Sequence, residues 1–156
     1  MKFCETNITF AEIPNETTLC VTISNCPHRC KGCHSAYLAE DVGTDFAEVI
    51  SIIEKYKDVI TCFCFMGGDS AHDEVAKWTD YIHAHYPHLK VAMYSGDDTA
   101  DEILMGRLDY YKIGSWQEDK GPLNSPTTNQ RLWKKTKFGF YIDITRKFRK
   151  EKHYED

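Results

Sequence analysis

No stretch of this sequence approaches the ~18 consecutive apolar residues of a membrane-spanning helix, and the opening MKFCETNITFAEIPNE lacks the basic start and apolar run of a secretory signal. The expected compartment is the cytoplasm, with no membrane contact. Proline is scarce at five residues, and no internal repeat or low-complexity tract marks a linker or a solenoid. At 156 residues, positions 1–156 are expected to form one domain around one core. That length is too short for a closed barrel of eight strand–helix units, which needs about 250 residues. A paired cysteine framework is missing too. The seven cysteines are odd in number and unevenly spaced, and a reducing cytosol keeps thiols free.

What is there is ordinary globular material, 42% hydrophobic and 28% charged, with a net charge of −5. The charge is uneven, since RLWKKTKFGFYIDITRKFRK (131–150) holds eight Lys and Arg against one Asp. A nucleic-acid arm would have that charge, but apolar residues recur through it at strand-like spacing. A solvated strand face is the simpler reading, and an acidic protein partner fits it equally well. No direct nucleic-acid binding is expected.

TLCVTIS (18–24) alternates apolar and β-branched residues as a strand does. TDFAEVISIIEKY predicts a helix capped by Thr44, with Phe46, Val49, Ile50 and Ile53 on one side. DVITCFCFMGGD reads as a strand covered on both faces, and DEVAKWTDYIHAHY as a second helix. KVAMYSGDD, TADEILMG and LDYYKIG continue as strand, short capped helix and strand, SWQEDKGPLNSPTTNQ as a long ordered loop, and FGFYIDIT as a last edge strand. Strand–helix alternation implies parallel pairing with helical crossovers. The expected fold is α/β: a partial (βα) barrel-like, open, mostly parallel sheet of about six strands with flanking helices.

Cys26, Cys30 and Cys33 fall within eight positions of the loop that follows the first predicted strand. Zinc needs four ligands, commonly two close pairs, and the second pair is missing. Three thiolates can instead hold three irons of a [4Fe-4S] cluster, leaving the fourth iron open for a ligand. The C-x3-C-x2-C spacing after the first strand, with Gly67, Gly68 and Asp69 after the next, resembles the radical S-adenosylmethionine superfamily. Within it, CPHRCKGCHS, MGGD, YSGDD and TTNQR resemble the activating components of anaerobic (class III) ribonucleotide reductases, over roughly Thr18 to Leu132. Many superfamily members carry an aromatic residue where this chain has Gly32.

The resemblance implies an enzyme in which Cys26, Cys30 and Cys33 are the catalytic and metal-binding residues. S-adenosyl-L-methionine would be cleaved to methionine and a 5′-deoxyadenosyl radical, which generates a glycyl radical on the reductase. It also implies a flavodoxin-like electron donor. Cofactor contacts are expected from Gly32, Cys33, His34, Gly67, Gly68, Asp69 and Ser95. Gly67 and Gly68 lack a Cβ and can take positive φ, so backbone can approach the methionyl group. Asp69 acts through its charge or caps the following helix. Ser95 either faces the same rim or is an ordinary turn serine.

His28 and His34 flank the cysteines, where loop histidines more commonly face solvent or donate a hydrogen bond than line a pocket. Arg29 and Lys31 read as solvated loop charges. Cys4, Cys20, Cys62 and Cys64 are expected as small core hydrophobes. Trp78 is assigned to the core, and His83, His85 and His88 to no metal. Trp116 lies in the irregular loop, with a partner contact as its alternative role. Two other readings remain open at this point. One is an activase for another glycyl-radical enzyme or a small nucleobase-modifying enzyme. The other is an interaction module with zinc on the three cysteines and His28 or His34.

Overall fold

The structure, a computed structural model, describes residues 1–28 and 40–149. Eight strands form one sheet: β1 (Lys2–Thr9), β2 (Thr18–Ile23), β3 (Thr44–Asp45), β4 (Cys62–Met66), β5 (Lys90–Tyr94), β6 (Tyr110–Ile113), β7 (Arg131–Lys135) and β8 (Tyr141–Asp143). Among the described residues there are two α-helices, α1 (Val49–Tyr56) and α2 (His72–His85). Neither is long and apolar enough to cross a membrane.

The strand order is β3-β1-β2-β4-β5-β6-β7-β8. Pairing is parallel from β2 to β4, β4 to β5 and β5 to β6, and antiparallel at the other four junctions. The expected mostly parallel, barrel-like sheet of about six strands is therefore wrong. Among the described residues the sheet is mixed, with antiparallel junctions in the majority, eight strands and two short helices. Antiparallel neighbours need no helical crossover, so the loops that precede β2, β7 and β8 carry no helix pattern to announce the pairing. In β1 only Phe3 is buried, and in β7 only Leu132, so neither makes an apolar run.

Two local expectations also fail. TADEILMG forms turns rather than a capped helix, with Asp101 accepting from the Ile103 N–H at 3.0 Å and Leu104 and Leu108 buried. Thr44 is a strand residue rather than a cap. Asp45 takes that duty, its carboxylate accepting from the Ala47 N–H at 2.9 Å at the start of a short 3-10 turn leading into α1.

Strand alternation divides the core into two layers. On one face Leu19, Val21, Ile23, Phe63, Phe65, Val91 and Met93 pack against Val49 and Ile53 of α1 and Val75, Ala76 and Ile82 of α2. Their neighbours Cys20, Cys62, Cys64, Ala92, Tyr110 and Leu132 face the other way and are covered by Ile13 and Ile144 from loops. Both helices thus lie on one face. The cysteines of β2 and β4 keep the opposite layer thin, because a thiol fills less space than leucine.

Candidate functional site

Parallel strands end on the same edge, so the segments after β2, β4 and β5 converge there, the edge where open α/β sheets take ligands. Asn25 ends the β2 exit with φ of 63°, a left-handed conformation that asparagine tolerates. Its N–H donates to the Glu40 carbonyl at 2.9 Å, tying together the two described ends of the cysteine segment. Cys26 follows as a free, half-buried thiol. Cys30, Gly32, Cys33 and His34 lie outside the described residues, as do Arg29 and Lys31.

After β4, Gly67 and Gly68 have φ of 106° and 111°. Consecutive positive φ values favour glycine, and a Cβ on Gly68 would stand 2.8 Å from the buried Val75 side chain. The turn then delivers Asp69, whose side chain is only 4% exposed. Its carboxylate accepts from the Ser95 hydroxyl at 2.6 Å, the Gly96 N–H at 2.7 Å, the His28 ring at 2.8 Å and the His72 ring at 3.0 Å. It does not cap α2, whose cap position is Ala71 with no side-chain bond. One carboxylate instead joins the β2 exit, the β5 exit and the first turn of α2.

His28 also lies 3.1 Å from Asp97, and Gly96 makes room for its ring, since a Cβ there would fall 2.7 Å from His28 Cδ2. His28 therefore donates hydrogen bonds rather than facing solvent. His72 bonds Asp101 through Nδ1 at 2.6 Å while Nε2 faces Asp69. Both ring nitrogens meet carboxylates, a setting that favours the protonated ring. Burial opposes that charge, but the bonds to Asp69 and Asp101 hold the His72 pKa above its ordinary value. Burial likewise opposes ionisation of Asp69, yet its bonds from His72, Ser95, Gly96 and His28 pull its pKa below the usual carboxylate value. Asp97 is pushed up by burial and by the neighbouring Asp69 charge. Atoms of His28, Asp69 and Asp97 lie within 4.8 Å of one another, close enough for a cation.

Ser95 is 1% exposed and its hydroxyl is committed to Asp69. Beneath it Lys112, also buried, donates to the carbonyls of Ser95 at 2.9 Å and Gly114 at 2.8 Å. On the helix-free face a cleft of about 730 Å³ is lined by Glu12, Tyr94, Lys112, Trp116 and Gln130 among others. Burial raises the Glu12 carboxyl there. Sequence reasoning missed Lys112 and His72, because a strand lysine or a helix histidine carries no motif of its own; Gln130 belongs to the TTNQR stretch that helped carry the resemblance. Trp116, assigned to an irregular loop, is half-buried on the cleft wall.

The remaining cysteines and histidines have structural partners. Cys20, Cys62 and Cys64 are sealed in the thin layer, and burial pushes the Cys62 and Cys64 thiols well up. Cys4 departs from the expected core position, being half-exposed with Sγ 3.5 Å from the Val42 carbonyl. Trp78 packs, partly buried, on the helix-side core. His83 bonds Asp109, His85 the Tyr81 carbonyl and His88 the Lys57 carbonyl. Among the described cysteines, Cys26 is the thiol placed at the strand-end rim. Its free sulfur suits the thiolate ligation that iron–sulfur clusters require.

No curated protein and no solved structure matches this chain. A family model does: residues 16–113 match the 4Fe-4S single cluster domain. That span covers more than half of the chain and runs from just before β2 to the end of β6, through the whole strand-end rim, and the chain belongs to the 4Fe-4S single cluster domain family.

Proposed function

We propose that the protein is a radical S-adenosylmethionine enzyme that installs a glycyl radical on an anaerobic ribonucleotide reductase. The observation that carries this reading is the meeting of Cys26, the Gly67–Gly68–Asp69 turn and Ser95–Gly96 at the ends of three adjacent strands. Cys26, Cys30 and Cys33 would hold the cluster through thiolates and leave one iron open. A cluster held there would supply one-electron chemistry, an electron from a flavodoxin-like donor cleaving S-adenosylmethionine to methionine and the 5′-deoxyadenosyl radical that would take a hydrogen atom from the glycine.

The chain's own residues position. Gly67 and Gly68 turn bare backbone toward the rim, where amide or carbonyl groups can bond a methionyl moiety. Asp69, fully engaged with four donors, acts by position, fastening His28 at the entry of the cysteine segment to the β5 exit. Lys112 holds the Ser95 and Gly114 carbonyls from below, which stiffens the same rim. Thiolate ligation and radical chemistry both suit a reducing, cytoplasmic setting.

The test is anaerobic reconstitution with iron and sulfide, reduction, and addition of S-adenosylmethionine. The expected result is about four irons per chain, with methionine and 5′-deoxyadenosine as products, and a glycyl-radical signal once the reductase is added. Cys26→Ala and Cys30→Ala are expected to lose both products while remaining folded by circular dichroism. Tight zinc without cleavage, or full cleavage in Cys30→Ala, would overturn the reading.

A further inference from the structure

Residues 131–150 carry a net charge of +7, so the rest of a chain with total charge −5 carries −12. Its first part, residues 131–143, builds the β7–β8 hairpin at one end of the sheet. At its tip Phe138 is 77% and Phe140 58% exposed. Their rings are nearly parallel, 13° apart in plane and 6.5 Å between centroids. Met105 is exposed beside Phe140, and Ile142, paired with Lys134, is exposed on the sheet's other face. Two stacked phenylalanines beside an exposed methionine are costly in water, and such patches mark contact sites.

Beside the tip runs a groove of about 650 Å³, walled by Met105, Tyr111, Ile113, Trp133, Phe140 and Tyr141. It is held in shape by polar ties. Tyr141 Oη accepts from the Gly106 N–H at 2.8 Å and donates to the Leu108 carbonyl at 2.7 Å, and Lys135 Nζ donates to the Gly106 carbonyl at 2.8 Å. A groove ordered in advance loses less entropy on binding. Among the described residues no strand covers the outer side of β8, so the edge offers backbone groups to a further strand.

We propose that the β8 edge and the Phe138–Phe140 groove dock an acidic protein that lays an extended segment beside β8, its apolar side chains in the groove and its carboxylates against the hairpin lysines. Apolar walls and a strand edge suit a polypeptide rather than phosphates. Two copies meeting hairpin to hairpin would bring like charge together, since residues 131–143 hold four Lys and Arg against one Asp. The identity of the partner rests on the proposed function: it is the reductase that receives the radical.

The experiment compares wild type with Phe138→Ser/Phe140→Ser and Lys134→Glu/Lys137→Glu, all loaded with iron and sulfide. Each variant is expected to bind the anaerobic reductase at least about tenfold more weakly, and wild-type binding to weaken with salt. Cleavage of S-adenosylmethionine without reductase is expected to stay unchanged. Equal reductase affinity in all three proteins overturns the docking surface, as does self-association, or binding of a single-stranded oligonucleotide, that both variants abolish. Failure of wild type to cleave S-adenosylmethionine strikes the proposed function instead, and a second arm then decides the surface alone. A peptide alternating Glu and Val is expected to shift the amide resonances of Tyr141, Ile142 and Asp143, and one alternating Lys and Val is not. The same response to both peptides overturns the proposal.

Discussion

Asp69→Asn tests the central electrostatic knot. The substitution preserves size and replaces one carboxylate oxygen by an amide NH2. Oδ1 receives Ser95 and His72, and Oδ2 receives His28 and Gly96. Whichever way the amide turns, two donors face a donor. A hydrogen bond to a charged group contributes about 1.5–3 kcal/mol, and leaving a buried partner uncompensated costs about 3–5 kcal/mol. The expected loss is therefore about 3 kcal/mol at neutral pH. In urea, with a slope of about 1–3 kcal/mol per molar, the midpoint falls by on the order of 1–3 M. The pH profile adds a second readout. Asp69 has a depressed pKa in the fold, so its contribution is present above the unfolded value of about 3.9 and is lost as pH falls through the folded value. His72 has a raised pKa, so its contribution is present below about 6.5 and is lost as pH rises through the folded value. The variant is expected to show a flatter stability profile in both windows. A loss under about 1 kcal/mol, or an unchanged profile, would refute the reasoning.

Two further substitutions probe the elements around this knot. Gly68→Ala forces a side chain onto φ of 111° and within 2.8 Å of Val75, and is expected to cost about 1–3 kcal/mol in the same urea assay; a neutral result would mean that the turn can relax. Cys62→Ala, at a fully buried position of the thin layer, is expected to cost about 1 kcal/mol and to leave the iron content of the reconstituted protein unchanged. Loss of iron in that variant would contradict its assignment to packing.

The cysteine spacing, the glycine pair and the strand–helix–strand run through β2, α1, β4, α2 and β5 were legible because each has a local cause. Apolar runs make buried strands, period-3.6 patterns make helices, and paired glycines permit positive φ. Thr18–Ile23 and Tyr110–Ile113 stand inside the strands expected for them, and Tyr141–Asp143 is an edge strand as anticipated. What was illegible is β1, β3 and the pairing of β7, whose stretch read only as a solvated strand face. Their exposed, polar positions carry no hydrophobic run, and their pairing is nonlocal. The mixed sheet therefore emerged only in three dimensions.

At the rim, the residue types were written in the sequence and their partnerships were not. Asp69 looked like a ligand contact or a helix cap. It became the acceptor for His28, His72, Ser95 and Gly96, which are separated from it by 41, 3, 26 and 27 positions. By itself the sequence determined a compact chain with a closely spaced cysteine set and a glycine turn, since these depend on neighbours along the chain. The tertiary structure decided which charge meets which, because a hydrogen bond requires approach within about 3 Å, and strand register alone brings such distant residues that close.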